Sequence, residues 1–590
     1  MSDVPGADRI DEVRQRNADR ADDVVAAIAA HGVEHVFVCP GSRSTPLVFA
    51  LQRARTTTTV LIDERVAGFA AVGAAHIGVT AAIVTTSGTA VANLLPAACE
   101  ADADELPWVA VTADRPHSLI NTGANQTLHQ PPLLAGPCRA VVDLAAPSES
   151  VRTRHDDDND LHVGLHHLHG AARGPVHVNV RFSKPLEPAA AHQCTSTKHA
   201  AVDDAHDDDN NEDTFNILRS ALFEKQRALV VCGALPVGDR GFAAQALSSL
   251  RWPVVLDVTS GLRAEDVGGV VLPSTALRHG AVVKALSTTL CPDVVLWIGG
   301  TLTEETGQRF IAGLPRSTPV VQLRSGVRVR DPEGRVDVVA VVPARQWPKV
   351  MTNRIHRSSL TPLVQALQQR VGRAVDDVLE TAGLTEPTVA RTVLSTLRAG
   401  EVVLLGNSMP VRDADRYARR VADDVVVITN RGVSGIDGTI ATALGACLAS
   451  KRPTTAFVGD LASLHDLGGI AATQQAQAPV RIVVVNNGGG GIFSFLPVAG
   501  ASRDLVERYF DTPHTFSLAK IAAGMGMTTR VVSDVSTLTA LLTQAPTRPE
   551  LIEVCTVRAD NVVLHQQLDA AVAAACDAVL STWKQPEGLL

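Results

Sequence analysis

Two polar pairs, each closing a short apolar run, limit what this chain can fold into more than any other feature. Residues 455–458 end at Gly459-Asp460-Leu461, and residues 480–485 end at Asn486-Asn487-Gly488-Gly489. Both runs have the β-branched, apolar composition of strands. Residues 464–475 between them read as one helix, so the segment is predicted to be a βαβ unit. An acid then stands at the mouth of one parallel strand and a carboxamide at the mouth of the next. Mg2+ takes about six oxygens, only one or two from carboxylates, with phosphate supplying others. The helix start after Asp460 and the glycine run 488–491 offer unpaired N–H groups to such a phosphate. A Gly-Asp pair alone is an ordinary turn, and a glycine run is more often a loop. Taken alone, the unit leaves turn and cation clamp equally open.

The rest of the chain narrows the choice. At 590 residues it is too long for one core, and three or four domains are expected. Valine and alanine runs alternate with glycine-bounded helical stretches, which predicts α/β layers. A net charge of −9 without a basic block excludes a nucleic-acid binder. The charged first 23 residues lack the apolar core of a secretory signal, and no apolar stretch is long enough to cross a bilayer. Nine scattered cysteines without a Cys-x-x-Cys pair fit reduced thiols in a cytoplasmic protein.

Three blocks follow from the strand pattern: 1–188, 214–355 and 360–590, with a polar, acidic linker at 189–213. Strands are expected near 33–38, 81–85, 108–112 and 176–180 in the first block. The second holds 228–231, 254–258, 294–298 and 320–323. The third holds 402–405, 425–428, 455–458, 480–485 and 551–555. Ligands of such parallel sheets sit outside the carboxyl ends of the strands.

Polar loops stand at those ends. Cys39-Pro40-Gly41-Ser42-Arg43-Ser44-Thr45-Pro46 combines hydroxyls, a guanidinium and a helix start, an anion-binding set. Asp63-Glu64-Arg65 opens a helix of small residues. Thr85-Thr86-Ser87-Gly88, Thr112-Ala113-Asp114-Arg115-Pro116 and Gly123-Ala124-Asn125-Gln126 follow. Each alone also reads as a capped helix or a solvated turn.

In this order the loops resemble the pyrimidine-binding domain of thiamine-diphosphate-dependent enzymes, and the Asp460/Asn487 unit resembles their cofactor motif. Pro-Gly-Ser-Arg-Ser-Thr-Pro, Gly406-Asn407-Ser408 with Arg412, and Asn430-Arg431-Gly432 leading to Gly435-Ile436-Asp437-Gly438 narrow the likeness. They resemble the menaquinone-pathway synthases of the MenD family. The resemblance covers most of the chain. It implies three doubly wound parallel-sheet α/β domains and a homodimer or homotetramer with active sites between subunits. It implies decarboxylation of 2-oxoglutarate on thiamine diphosphate and addition of the succinyl carbanion equivalent to isochorismate, with Mg2+ or Mn2+ bound.

By the same resemblance, Glu64 hydrogen-bonds the cofactor ring. Ser408, Ile436, Gly459, Asp460, Leu461, Asn487 and Gly489 hold the cofactor, and Asp460, Asn487 and Gly489 the metal. Arg43, Arg412 and Arg431 join Glu64 as catalytic residues. Arg43, Arg115, Arg309, Arg412 and Arg431, with Ser42, Asn125, Gln126 and Ser408, meet the substrates' carboxylates, for which planar guanidinium forks are suited. Ile492, Phe493 and Leu496 form an apolar wall over the reacting carbon, or else simply core. Gln308 stands where many relatives carry Lys, so the contribution of Arg309 is the weakest of these. An acetolactate-synthase-like 2-oxoacid decarboxylase or carboligase is the alternative enzyme, and a paralogue that binds cofactor without turnover the non-enzyme alternative. His162, His166, His167 and His169 look like a metal cluster, but Leu161, Leu165 and Leu168 lie at helical spacing and predict an amphipathic helix instead. The acidic run 203–213 reads as solvated linker.

Overall fold

The computed structural model describes residues 7–189, 212–222, 225–263, 267–351, 357–419 and 421–583. Most of the expected linker at 189–213 lies outside them, and so does residue 355; a helix, Glu212–Leu222, begins inside its last residues.

Three sheets form, and every strand pair in them is parallel. The first contains β1 (His35–Val38), β2 (Thr57–Val60), β3 (Ala81–Thr85), β4 (Trp108–Asp114), β5 (Ala140–Leu144) and β6 (Val176–Arg181), in the order β2-β1-β3-β4-β6-β5. The second contains β7 (Ala228–Cys232), β8 (Val254–Leu256), β9 (Val294–Ile298), β10 (Val320–Arg324) and β11 (Val338–Val341), ordered β11-β10-β9-β7-β8. The third contains β12 (Val402–Leu405), β13 (Val426–Ile428), β14 (Thr454–Gly459), β15 (Val480–Asn486), β16 (Thr528–Val532) and β17 (Glu550–Cys555), ordered β13-β12-β14-β15-β17-β16. In the first and third sheets the chain winds outward one way and then returns to wind the other way. That places a switch point between β1 and β3, and another between β12 and β14, where crevices for ligands open.

Four strands were not expected: β2, β5, β11 and β16. All four are sheet edges. Their side chains are half exposed, as in Thr57–Val60, so they lack the unbroken apolar run of a central strand such as Val294–Ile298. The expected strand at 254–258 stops at Leu256, because the Asp257 carboxylate accepts the Thr259 amide and turns the chain into a 3-10 helix.

The chain divides into two compact units. One comprises Met1–Asp207, Asn430–Lys451 and His465–Ala478; it holds the first sheet and two helices, Thr439–Ser450 and Leu467–Gln475, that come from late in the sequence. The other comprises Asp208–Thr429, Arg452–Leu464 and Pro479–Leu590, with the second and third sheets.

The segment 464–475 is not one helix. Asp460–His465 and Leu467–Gln475 are separate, broken at Asp466. The Asp466 carboxylate caps the second helix through the Gly469 amide at 3.0 Å and also accepts the Ala441 amide at 2.8 Å. An acid that can satisfy two orphan amides gains more from leaving the helix than from extending it. Arg154–Leu165 is the expected amphipathic helix of the histidine region, with Leu161, Leu165 and Leu168 buried and the last turn tightened into a 3-10 segment. There His31 Nε2 lies 2.9 Å from His162 Nδ1, and His31 Nδ1 3.4 Å from His169 Nε2. Each ring nitrogen of His31 faces a different histidine, so the three share no common point for an ion.

Candidate active site

Residues of the first compact unit gather polar and cationic side chains on the loops after β1, β3 and β4. The loop after β1 passes so close to β3 that a Cβ on Gly41 would lie 2.2 Å from the Thr86 Cβ. Ser42–Ser44 forms a 3-10 turn and Pro46 starts the next helix, Thr45–Ala54. Arg43 is buried and donates Nη1 to the Phe182 carbonyl at 2.9 Å, while its Nε has no hydrogen-bond partner. Arg115, also buried, donates to Ser87 Oγ and the Gln126 carbonyl. Burial, then the neighbouring Arg115 charge, lowers the Arg43 pKa to about 10. Burial lowers that of Arg115 too. Two crowded, partly desolvated guanidiniums favour an arriving carboxylate. Ser42, Asn125 and Gln126 stand exposed at the same loops. Gln126 holds a positive φ of 58° and ties its Nε2 to the Ser87 carbonyl at 2.9 Å.

Glu64 opens the helix Glu64–His76, which Asp63 caps through the Arg65 amide. Glu64 is half-buried, with Asn93 Nδ2 at 3.4 Å from its Oε2. In the same unit Arg431 leads the loop to Ile436, which is 37% exposed. That loop is fastened by a residue sequence reasoning missed. The buried Glu100 carboxylate accepts the Gly432 and Val433 amides, each at 2.8 Å. Burial, then Asp104, raises the Glu100 pKa to about 8.

Residues of the second compact unit form a polar cluster at the ends of β14 and β15, which run in register from Thr454↔Val480 to Gly459↔Val485. Asp460 is buried next to Gly459 and Leu461; its Oδ1 accepts the Leu461 amide at 2.7 Å and its Oδ2 the Gly489 amide at 2.9 Å. His514 Nε2 lies 3.3 Å from the same Oδ2. Burial raises the Asp460 pKa against the pull of these amides and of His514. Gly489 has φ 143°, and a Cβ there would meet the Asp511 carbonyl at 2.2 Å, so only glycine fits.

The two asparagines at the end of β15, Asn486 and Asn487, are fixed by two buried acids. Glu553 accepts Asn486 Nδ2 at 2.7 Å and the Leu518 and Ala519 amides at 3.0 and 2.9 Å. Glu386 accepts Asn487 Nδ2 at 2.9 Å. Asn487 Oδ1 is buried with no hydrogen-bond partner. A carboxamide oxygen left bare beside a buried carboxylate costs free energy unless something positive meets it. This donor set of carboxylate, carboxamide and nearby glycine carbonyls fits a hard divalent cation.

Ser408, at the end of β12, holds φ 72° and ψ −129° and accepts Arg412 Nη1 on its carbonyl at 2.7 Å. Backbone strain of this kind costs on the order of 1–3 kcal/mol and collects at functional sites. Ile492 and Phe493 are half-buried in a 3-10 turn, Gly491–Phe495, and Leu496 is 42% exposed, so these three do not form core. Arg309 stands apart from the polar cluster of its own unit. It is exposed on the helix Glu305–Ala312, with Nη2 donating to Glu305 one turn earlier.

Two family models match. Residues 19–133 match the thiamine pyrophosphate enzyme N-terminal TPP binding domain, and residues 411–554 the thiamine pyrophosphate enzyme C-terminal TPP binding domain. The 2-succinyl-5-enolpyruvyl-6-hydroxy-3-cyclohexene-1-carboxylate synthase of Salinibacter ruber is 36% identical, over 94% of this chain and 96% of its own length. The protein of the same name from Rubrobacter xylanophilus is 36% identical over 91% of this chain and 95% of its own. That from Chloroflexus aurantiacus is 33% identical over 92% and 94%. With its parallel α/β sheets and its match to both thiamine pyrophosphate domains, the chain belongs to the 2-succinyl-5-enolpyruvyl-6-hydroxy-3-cyclohexene-1-carboxylate synthase family of thiamine-diphosphate-dependent enzymes.

Proposed function

We propose that the chain makes 2-succinyl-5-enolpyruvyl-6-hydroxy-3-cyclohexene-1-carboxylate and CO2 from 2-oxoglutarate and isochorismate. It does so as a cytoplasmic homodimer or homotetramer with Mg2+ or Mn2+ bound beside the cofactor, and its three blocks, 1–188, 214–355 and 360–590, act as domains. No helix among the described residues is long and apolar enough to cross a membrane. The observation that carries the site assignment is the bare, buried Asn487 Oδ1 in the unit that also holds the buried Asp460.

Thiamine diphosphate supplies the electron sink for breaking one carbon–carbon bond and making another. Asp460 and Asn487 hold the cation through side chains and Gly489 through its carbonyl; Gly459, Leu461, Ser408 and Ile436 line the cofactor. Glu64 from one copy of the chain hydrogen-bonds the ring of the cofactor held by another copy. Arg412 and Arg431 grip the carboxylates of 2-oxoglutarate. Arg43 and Arg115, with Ser42, Asn125 and Gln126, receive those of isochorismate, and Arg309 contributes least. Ile492, Phe493 and Leu496 exclude water from the reacting carbon, which suppresses protonation in place of carbon–carbon bond formation.

The test is purified protein with Mg2+, thiamine diphosphate and 2-oxoglutarate, with and without isochorismate. Adduct is expected only with both substrates. Turnover of pyruvate with no response to isochorismate would favour the acetolactate-synthase-like alternative and sink this reading.

A further inference from the structure

We propose that Glu386 is a positioning residue for the cation site: it fixes which end of the Asn487 side chain faces the metal. The inference rests on the assignment of Asn487 as a metal ligand. A carboxamide is nearly symmetric in shape but not in chemistry. Its oxygen can ligate a cation; its NH2 group cannot. A half-turn about the last torsion exchanges the two, so a ligating asparagine needs a neighbour that accepts from nitrogen only.

Glu386 meets that need. Its Oε1 accepts Asn487 Nδ2 at 2.9 Å, and the same oxygen accepts Thr556 Oγ1 at 3.4 Å. The amide it selects leaves Asn487 Oδ1 as the buried end without a partner. Glu386 is itself held at the first turn of the helix Glu386–Thr396, between the Thr385 cap and Pro387. The Thr556 amide donates to the Asn486 carbonyl at 3.0 Å, so the chain leaving β17 and the chain leaving β15 are tied at the same place. Space at the nitrogen end is tight as well: a Cβ on Gly491 would lie 2.5 Å from Asn487 Nδ2.

Nothing in the helix requires an acid there. Glu386 is 3% exposed, and a buried carboxyl costs free energy that an apolar side chain of the same size would not. Its two neighbours, Asn487 and Thr556, point it at the cofactor loop instead. Outer residues that orient a ligand typically change metal affinity by about 10–100-fold when removed.

Binding of Mn2+ by the full chain, followed by electron paramagnetic resonance with and without thiamine diphosphate and without substrates, tests this. Glu386→Met fills the volume but offers no strong acceptor, and should weaken Mn2+ binding at least tenfold, while the urea midpoint of the metal-free chain holds or rises. Glu386→Gln offers Asn487 either a carbonyl or an NH2 group, so it no longer selects one end of the carboxamide and should weaken Mn2+ binding, though less than Glu386→Met. In the Asn487→Ala background, Glu386→Met should cost no further affinity, since no amide remains to orient. Unchanged Mn2+ affinity in Glu386→Met overturns the proposal. If that variant does not fold, unchanged Mn2+ affinity in Glu386→Gln overturns it equally. Failure of the unchanged protein to bind Mn2+ with thiamine diphosphate would instead bring down the site assignment on which the proposal stands.

Discussion

Gly73 and Thr442 meet backbone to backbone: a Cβ on Gly73 would lie 1.9 Å from the Thr442 carbonyl oxygen. The same is true in reverse along the pair of helices, where a Cβ on Gly445 would lie 1.8 Å from the Ala70 carbonyl oxygen. Glu64–His76 and Thr439–Ser450 therefore touch along a seam of Ala and Gly with no room for a methyl group. Gly73→Ala must separate the helices, and overpacking of this kind costs roughly 1–3 kcal/mol or more. Thermal unfolding should shift down by several degrees or the protein should fail to accumulate; an unchanged melting temperature would refute the seam.

Asp460→Asn should act on binding more than on folding. The side chain keeps an oxygen for the Leu461 or Gly489 amide but loses the charge that meets the cation. Calorimetric titration with Mg2+ and thiamine diphosphate should show at least a tenfold loss of affinity, with the melting temperature of the metal-free chain nearly unchanged.

Ser408 should display a trade between stability and function. At φ 72° and ψ −129° glycine is at ease and serine is not. Ser408→Gly should raise stability by about 1 kcal/mol and lower turnover, because the hydroxyl assigned to cofactor and substrate is gone. A variant that is both less stable and fully active would contradict both halves.

The fold around Glu100 should lose stability in base. The Glu100 pKa rises from an ordinary glutamate value near 4.5 to about 8, first through burial and then through Asp104. The folded state therefore holds this proton more tightly than the unfolded chain. Its stabilising contribution is complete below about pH 4.5 and is lost as pH climbs through about 8. Urea midpoints taken from pH 5 to 9 should fall with a slope that Glu100→Gln flattens. A slope of the same size in the variant would assign it to other groups.

Central strands were legible in the sequence, and four of the six edge strands were not. Val294–Ile298 and Val402–Leu405 are buried on both faces and read as apolar runs. Thr57–Val60 and Thr528–Val532 are edges with largely exposed side chains, and their β-branched residues form no apolar run. At the site, Asp460, Asn487 and the arginine loops stood out because glycine and polar pairs after strands are rare in combination. Glu386 and Glu100 did not. Thr385-Glu386-Pro387 looks like an ordinary helix start, and Glu100 like the polar face of a helix; only the fold shows that both are buried against backbone or carboxamide donors. The break at Asp466 was hidden for the same reason, since its second partner, the Ala441 amide, lies 25 residues earlier in the chain.

The seam between Gly73 and Thr442 also orders events in time. The two residues are about 370 positions apart, so the Ala and Gly face of Glu64–His76 emerges from the ribosome long before its covering helix exists. At about 5–20 residues per second that interval is roughly 20–70 s. Throughout it, the Ala and Gly face of that helix stands uncovered, the state in which chains aggregate or recruit chaperones. The first domain to be written is thus among the last to be finished.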